Sequence, residues 1–452
     1  MQGHTQMNTH APFLSGPFTP VPDEITVTHL RVQGTLPSEL HGQLVRNGHN
    51  PMPGVVPIHW FKGSGMLHGI RLQEGRAESY RNRWVRTPAL QGAPYMTEHG
   101  PDFTAHSAGT HAISHAGRIL ALNEAGLPFQ VTPELDTVGV FDFAGKLTTP
   151  MTAHPKIDPR TGELHFFGYG PFPPYLTYYV ASPQGDIIRA EVVPGAGPSL
   201  MHDFAITQRH IVWFDMPVVF DMNDTSGMPY AWNDHYPARI GIMSRASGAV
   251  RWFEVDPIYV LHVTNAYDDA EGRVILDAPA FDRAGWVRST AWWAGRADRG
   301  PSLLSGASHR RWTIDPEKGV VGLQTVDDLI VEFPTVSPAM VGQPFRYGYA
   351  LALPGGEQGP WALAKHDLTT GARQLRTFGP GQLPSEGVFV PAAGATREDA
   401  GYILTVVSNA DQSPAELLVL DATNIAGEPV AVVELPRHVP GGVHGSWIPE
   451  EA

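Results

Sequence analysis

KIDPRTGELHFF, residues 156–167, sets the reading of this chain. Two strand-like runs flank DPRTG, where Asp158 can bond the local backbone and Gly162 can supply the positive φ of a tight turn. The unit recurs as RLQEGRAESY (71–80), VFDFAGKL (140–147), VASPQGDII (180–188) and MSRASGAVRWFEV (243–255). It returns in WTIDPEKGVV (312–321), AKHDLTTGARQL (364–375) and VLDATNIAGEPVAVV (419–433). Hairpins spaced by tens of residues, without amphipathic helices between them, predict an all-β repeat fold. A β-propeller, at about 40–50 residues and four strands per blade, suits the length best, with tandem β-sandwiches as the alternative. No Gly/Ser-rich linker divides the chain. Residues 21–452 therefore read as one propeller domain, with residues 1–20 as an N-terminal arm.

Composition narrows the function classes. The 48 Gly and 42 Pro are dispersed among hydrophobic segments, which suits many turns and not disorder. A net charge of −14 leaves no basic surplus for phosphates and argues against a nucleic-acid partner. With no cysteine there is neither a disulfide nor a thiolate metal site. The start, MQGHTQMNTHAPF, lacks the basic and apolar regions of a signal peptide. No run approaches 18 apolar residues, so no transmembrane segment is expected. The expectation is a cytoplasmic protein, with lipid contact by one face left open.

Four phrases place a histidine beside strand-like sequence: TAHPKIDP (His154), SLMHDF (His202), LHVTNAYDD (His262) and GGVHGSW (His444). Three more place a glutamate between apolar flanks: LALNEAG (Glu124), VEFP (Glu332) and LPSEGVFVP (Glu386). Any site they share must be assembled by the fold. Imidazole binds iron, zinc, copper and nickel, so histidines alone do not name a metal. Tetrahedral zinc with four histidines would be closed and structural, whereas an octahedral ion would keep two positions free. Buried carboxylates need partners, and a ligating imidazole usually gives its second N–H to one.

Together these phrases resemble the carotenoid cleavage oxygenase family, over most of the chain from FTPVPDE (18–24) to WIP (447–449). LVRNGHNP (44–51) and HWFKGSGMLHGI (59–70) belong to the same likeness, although Lys62 and Ser64 stand where an acidic residue is common. The resemblance implies a seven-bladed propeller with iron on the central axis and loops capping one face. It implies Fe(2+) held by His154, His202, His262 and His444, with Glu124, Glu332 and Glu386 bracing His202, His262 and His444 in an order the sequence leaves open and His154 without a carboxylate partner. His111, His115, His210 and His438 fall outside the matching positions and read as structural or surface residues. Thr110, in AGTHAI, matches a threonine whose methyl group limits access to a free iron position.

The implied reaction is dioxygenase cleavage of a hydrophobic alkene by O2 into two carbonyl products. Tunnel candidates are Trp60, Phe61, Phe103, Phe172, Tyr175, Phe220, Tyr267 and Phe333, with Phe61 and Phe333 foremost. Stilbene-cleaving relatives bind a phenol through a tyrosine and a lysine just before the bracing glutamate. Here Asn123 takes the lysine's place, and Tyr95 reaches the tyrosine's only if a deletion is allowed. A carotenoid or apocarotenoid is therefore the expected substrate, with a phenolic stilbene or phenylpropene as the alternative. A metal-free interaction module and a retinoid isomerohydrolase remain as rival classes.

Overall fold

The computed structural model describes residues 11–224, 227–296 and 305–450. The first ten residues of the expected arm lie outside this range. Among the described residues the chain is β-rich, with one α-helix, Arg283–Trp293. No helix among them is long and apolar enough to cross a membrane.

The strands make a seven-bladed β-propeller. Blade 1 runs outward from His111–His115 through Arg118–Leu122 and Phe129–Val131 to Thr137–Val140. Blade 2 begins at Lys156–Ile157 and ends at Ile187–Val192; blade 3 begins at Ala205–Ile206 and ends at Val250–Val255. Blades 4 and 5 share one sheet. The 16-residue strand Val320–Thr335 pairs first with Ala307–Asp315, as the outer strand of blade 4. Its second half pairs with Tyr347–Leu353, as the inner strand of blade 5. Blade 6 is built on Gly401–Asn409, whose inner neighbour is split into Gln382–Pro384 and Val388–Pro391. Blade 7 places Gly445–Pro449 inside Gly42–His49.

Ring closure therefore uses both ends of the chain. Gly445–Pro449, near the C-terminus, completes the blade made by the N-terminal strands. Val32–Gly34 in turn adds to the outer edge of blade 6 through Ala431–Glu434. Each pairing covers an edge that would otherwise expose unpaired backbone groups.

The turn chemistry behaves as the sequence suggests at KIDPRTGELHFF. Lys156–Ile157 pairs back onto Leu164–Tyr169, with Gly162 at φ 70°. VFDFAGKL is different. It carries the chain from blade 1 towards blade 2, because Phe143 and Leu147 are buried between the blades and no return strand follows.

Long connections gather over one face as a cap. Asp282 starts the helix by accepting the Gly285 N–H at 2.6 Å, the usual way to satisfy an orphan donor. Trp286, Trp292 and Trp293 are buried on it. Phe13 and Phe18, within the expected arm, pack edge-on against Trp292, and Trp60 meets the same ring. The described part of that segment is thus bound into the cap.

Candidate metal centre

Every blade sends one residue to the axis at or near its innermost strand. Thr110 precedes the inner strand of blade 1, and His154, His202 and His262 precede those of blades 2, 3 and 4. His444 precedes that of blade 7, while Glu332 lies in the inner strand of blade 5. Glu386 occupies the break between the two inner segments of blade 6. This placement explains how residues nearly 300 positions apart converge.

The four imidazoles meet tightly. Five of their six ring pairs have centroids 4.5–5.0 Å apart. Ligand nitrogens of His154, His262 and His444 lie within 4.8 Å of one another. His202 Nε2 is 3.0 Å from His154 Nε2 and 3.3 Å from His262 Nε2; His202–His444 is the wide pair. Five near pairs and one wide pair are what four ligands give on an octahedron with two adjacent corners free. A tetrahedral site would make all six pairs alike.

The glutamates are matched one to one. His202 Nδ1 donates to Glu124 at 2.8 Å, His262 Nδ1 to Glu332 at 2.6 Å and His444 Nδ1 to Glu386 at 3.1 Å. Glu386 also accepts the Gly445 N–H at 3.0 Å. A carboxylate only accepts, so the proton sits on Nδ1 and the Nε2 lone pair faces the axis. The buried His444 Nε2 has no partner in the protein. Lone pairs aimed at one another at 3.0–3.3 Å repel unless a cation lies between them. The donor set therefore fits a divalent metal that favours imidazole and six-coordination.

Burial, then neighbouring imidazoles, keeps His154 and His262 neutral, far below the usual histidine range. Burial raises Glu332 to about 8 with no cation beside it, and a cation bound at the centre would favour its ionised form. At His202 burial acts against protonation, but the Glu124 charge and hydrogen bond outweigh it and the net shift is upward. Burial likewise opposes ionisation of Glu386, where His444 prevails and the net shift is downward. Neutral imidazole is the form a metal requires.

Other histidines are accounted for differently. His111 packs 5.3 Å from the His444 ring, yet its two nitrogens bond Ala153 O and Ser446 Oγ, each at 2.9 Å. His115 bonds Gly162 O, and His210 bonds Asp268. His438 is buried beside a surface cleft lined by Pro20, Gln412 and Arg437.

Of the aromatic candidates, Phe333 touches the centre, its ring 5.1 Å from His262 and 5.2 Å from His444. Phe61 lies in the cap between Trp60 and Trp293. Phe103 is half-buried and its carbonyl accepts from Leu127, while Tyr175 bonds the Gly170 N–H. Tyr267 packs on Phe345. Phe172 is 65% exposed and begins a chain of rings, Phe172–Phe220–Tyr230–Tyr169, with successive centroids 5.8–6.3 Å apart. Burial first, then the charge of Glu124, holds the phenols of Tyr169 and Tyr230 above the usual range. The neighbouring charge of Tyr95 adds to the rise at Tyr230.

Three contributors escape a reading of the sequence alone. Tyr169 and Tyr230 are two; the aromatic density of FFGYGPFPPY was the available signal for Tyr169, and PYAW for Tyr230. The third is Asp203. Its carboxylate bonds Lys156 Nζ, Phe204 N and Val263 N, each at 2.8 Å. It thereby ties together the segments that carry His154, His202 and His262. Its signal was the Asp directly after a candidate ligand in SLMHDF.

Comparison with known proteins agrees with this geometry. The profile of the family described as retinal pigment epithelial membrane protein matches residues 18–449. A carotenoid cleavage oxygenase of Mycobacterium tuberculosis is 36% identical over 97% of both chains. A carotenoid 9,10(9',10')-cleavage dioxygenase of Arabidopsis thaliana is 31% identical over 97% of this chain and 90% of its own. Among solved structures, the lignostilbene dioxygenase of Pseudomonas brassicacearum superposes with a TM-score of 0.84 at 28% identity, covering 97% of this chain and 98% of that one. The cobalt-substituted apocarotenoid oxygenase of Synechocystis gives 0.82 at 27%, covering 95% and 97%. With a match across nearly its whole length, this chain belongs to the carotenoid cleavage oxygenase family.

Proposed function

We propose that this protein is a non-haem Fe(2+) dioxygenase that cleaves a C=C bond of a carotenoid or apocarotenoid. One O2 is consumed and each former alkene carbon leaves as a carbonyl, so no external reductant is needed. The observation that carries the reading is four converging imidazoles, five near pairs and one wide pair, with three of them braced by carboxylates.

Iron held by His154, His202, His262 and His444 would supply the activation of dioxygen. The chain's own residues do the rest. Glu124, Glu332 and Glu386 fix the ring orientations and offset the metal's charge. Thr110 stands at the axial position of blade 1, where its methyl group would limit access to a free iron position. Phe333 forms an apolar wall beside His262 and His444. The rings from Phe172 to Tyr169 offer an elongated polyene a path of stacking surfaces towards the centre. No acid–base residue is required, and specificity lies in tunnel shape.

A polyene is favoured over a phenolic stilbene by the state of Asn123. Its amide donates to Ser107 and Thr110, so it offers a phenol no free N–H. Oxygen uptake by iron-replete protein with apocarotenals, stilbenes and phenylpropenes tests the reading. The expected result is one O2 consumed per apocarotenal cleaved, with labelled oxygen in both products. Isomerisation or ester cleavage without O2 consumption would overturn it, as would a preference for 4-hydroxystilbenes on the substrate side.

A further inference from the structure

At the axis blade 1 places Thr110 where blades 5 and 6 place a glutamate and the other four a histidine. Blades 2, 3, 4 and 7 each start their inner strand after a histidine, but blade 1 starts after Thr110. Thr110 is buried, its N–H bonds Leu122 O at 3.0 Å, and its carbonyl faces the His444 N–H at 3.3 Å. Its backbone is thus locked to the metal centre, and its side chain is the remaining degree of freedom.

Asn123 holds that side chain. Its Nδ2 donates to Thr110 Oγ1 at 3.2 Å and to Ser107 Oγ at 3.1 Å, while its Oδ1 accepts the Ala125 N–H at 3.0 Å. Both N–H groups are therefore used inside the protein. The next residue, Glu124, holds His202. One dipeptide fixes a ligand with one side chain and the unliganded axial position with the other.

We infer that Asn123 is a positioning residue that selects the Thr110 rotamer and so decides which branch, methyl or hydroxyl, faces the open side of the centre. Threonine carries both branches on one carbon, and staggered rotamers exchange them by rotation of about 120°. A hydrogen bond at Oγ1 selects one arrangement. Losing it would free the hydroxyl to turn towards the axis and bind water or another small molecule where an apolar group had stood. Asn123 thus acts on small-molecule access through Thr110, not on the substrate by contact. The kinetic consequence rests on the dioxygenase reading above; the rotamer assignment does not.

Two measurements test this. Crystal structures of wild type, Asn123→Ala and Asn123→Leu, with Zn(2+) at the centre, report Thr110 χ1 without any turnover. One rotamer in wild type, and a second or mixed rotamer in the variants, is the expected result. An unchanged χ1 in both variants overturns the inference. Steady-state oxygen uptake with an apocarotenal then compares Asn123→Ala, Thr110→Ala and the double variant. Asn123→Ala should change KM for O2 by about three- to tenfold, the scale of one neutral hydrogen bond, with KM for the apocarotenal unchanged. In the Thr110→Ala background the Asn123 substitution should add nothing. A shift in apocarotenal KM that adds fully to the Thr110 effect would instead make Asn123 a substrate contact and sink the proposal. Should wild type consume no O2 with any polyene, the dioxygenase reading falls while χ1 still decides the role of Asn123.

Discussion

Blade 2 carries two different kinds of polar site within a few residues. At one end of Lys156–Ile157 stands His154; at the other is the Asp158–Gly162 turn. Asp158 is saturated by the protein: it accepts from Arg160 N and from Arg245 of blade 3 at 3.0 and 2.8 Å. Asp268 is similarly closed by Arg209 N and His210. The axial glutamates instead each hold an imidazole whose far nitrogen points at other imidazoles. Turn carboxylates complete the fold, whereas axial carboxylates orient groups left for something outside the chain. The difference lies in unsatisfied valence, not in burial, because Asp158 and His154 are both buried.

The comparison breaks first at the ligands. His262→Ala, or alanine at any of the other three histidines, should leave turnover below detection and lower iron content measured by metal analysis. Two of the four variants with full activity would refute a shared centre.

Asp203 belongs to both regions, since it is closed like a turn carboxylate yet binds the three segments that carry His154, His202 and His262. Asp203→Ala leaves Lys156 without its partner and two N–H groups unbonded. Breaking a buried pair costs about 3–5 kcal/mol, and the part-exposed Lys156 argues for the lower end. Denaturant titration should show that loss together with reduced iron retention. A variant as stable as wild type that still loads iron would reduce Asp203 to an ordinary turn residue.

Glutamine at the axial glutamates sharpens the contrast further. The amide still accepts a hydrogen bond but carries no charge, so activity or metal affinity should fall about 10–100-fold. Glu332→Gln should lie at the severe end and Glu124→Gln at the mild end, because their side chains are 1% and 22% exposed. Equal, negligible effects at all three would mean that the carboxylates do not brace the centre. The smallest effect is expected at the turn tip. Thr161→Ala, exposed in DPRTG, should change stability by no more than about 0.5 kcal/mol and leave oxygen uptake unchanged. A larger loss of activity there would show that the two ends of the blade are not independent.

Local sequence determined the hairpins, because a tight turn needs only a few neighbouring residues with the right φ and side-chain bonds. It also marked the segments of the four candidate histidines: each stands immediately before an inner strand or within three residues of it. Locality explains the misreading at VFDFAGKL too. Phe143, Ala144 and Gly145 all take positive φ, yet such a turn does not specify whether the chain folds back on its own sheet or crosses to the next blade.

Tertiary structure alone decided the rest. The pairs His202–Glu124, His262–Glu332 and His444–Glu386 join residues 78, 70 and 58 positions apart, and three interchangeable glutamates carry no local sign of which imidazole they will meet. Ring closure depends on strands from opposite ends of the chain. Val320–Thr335 serves two blades because of its partners, not its composition. Asn123 became a brace for Thr110 because the fold put Ser107 and Thr110 within reach of its amide. Turns are set by bonds between near neighbours; which distant groups fill a remaining valence is set by the ring that brings the blades together.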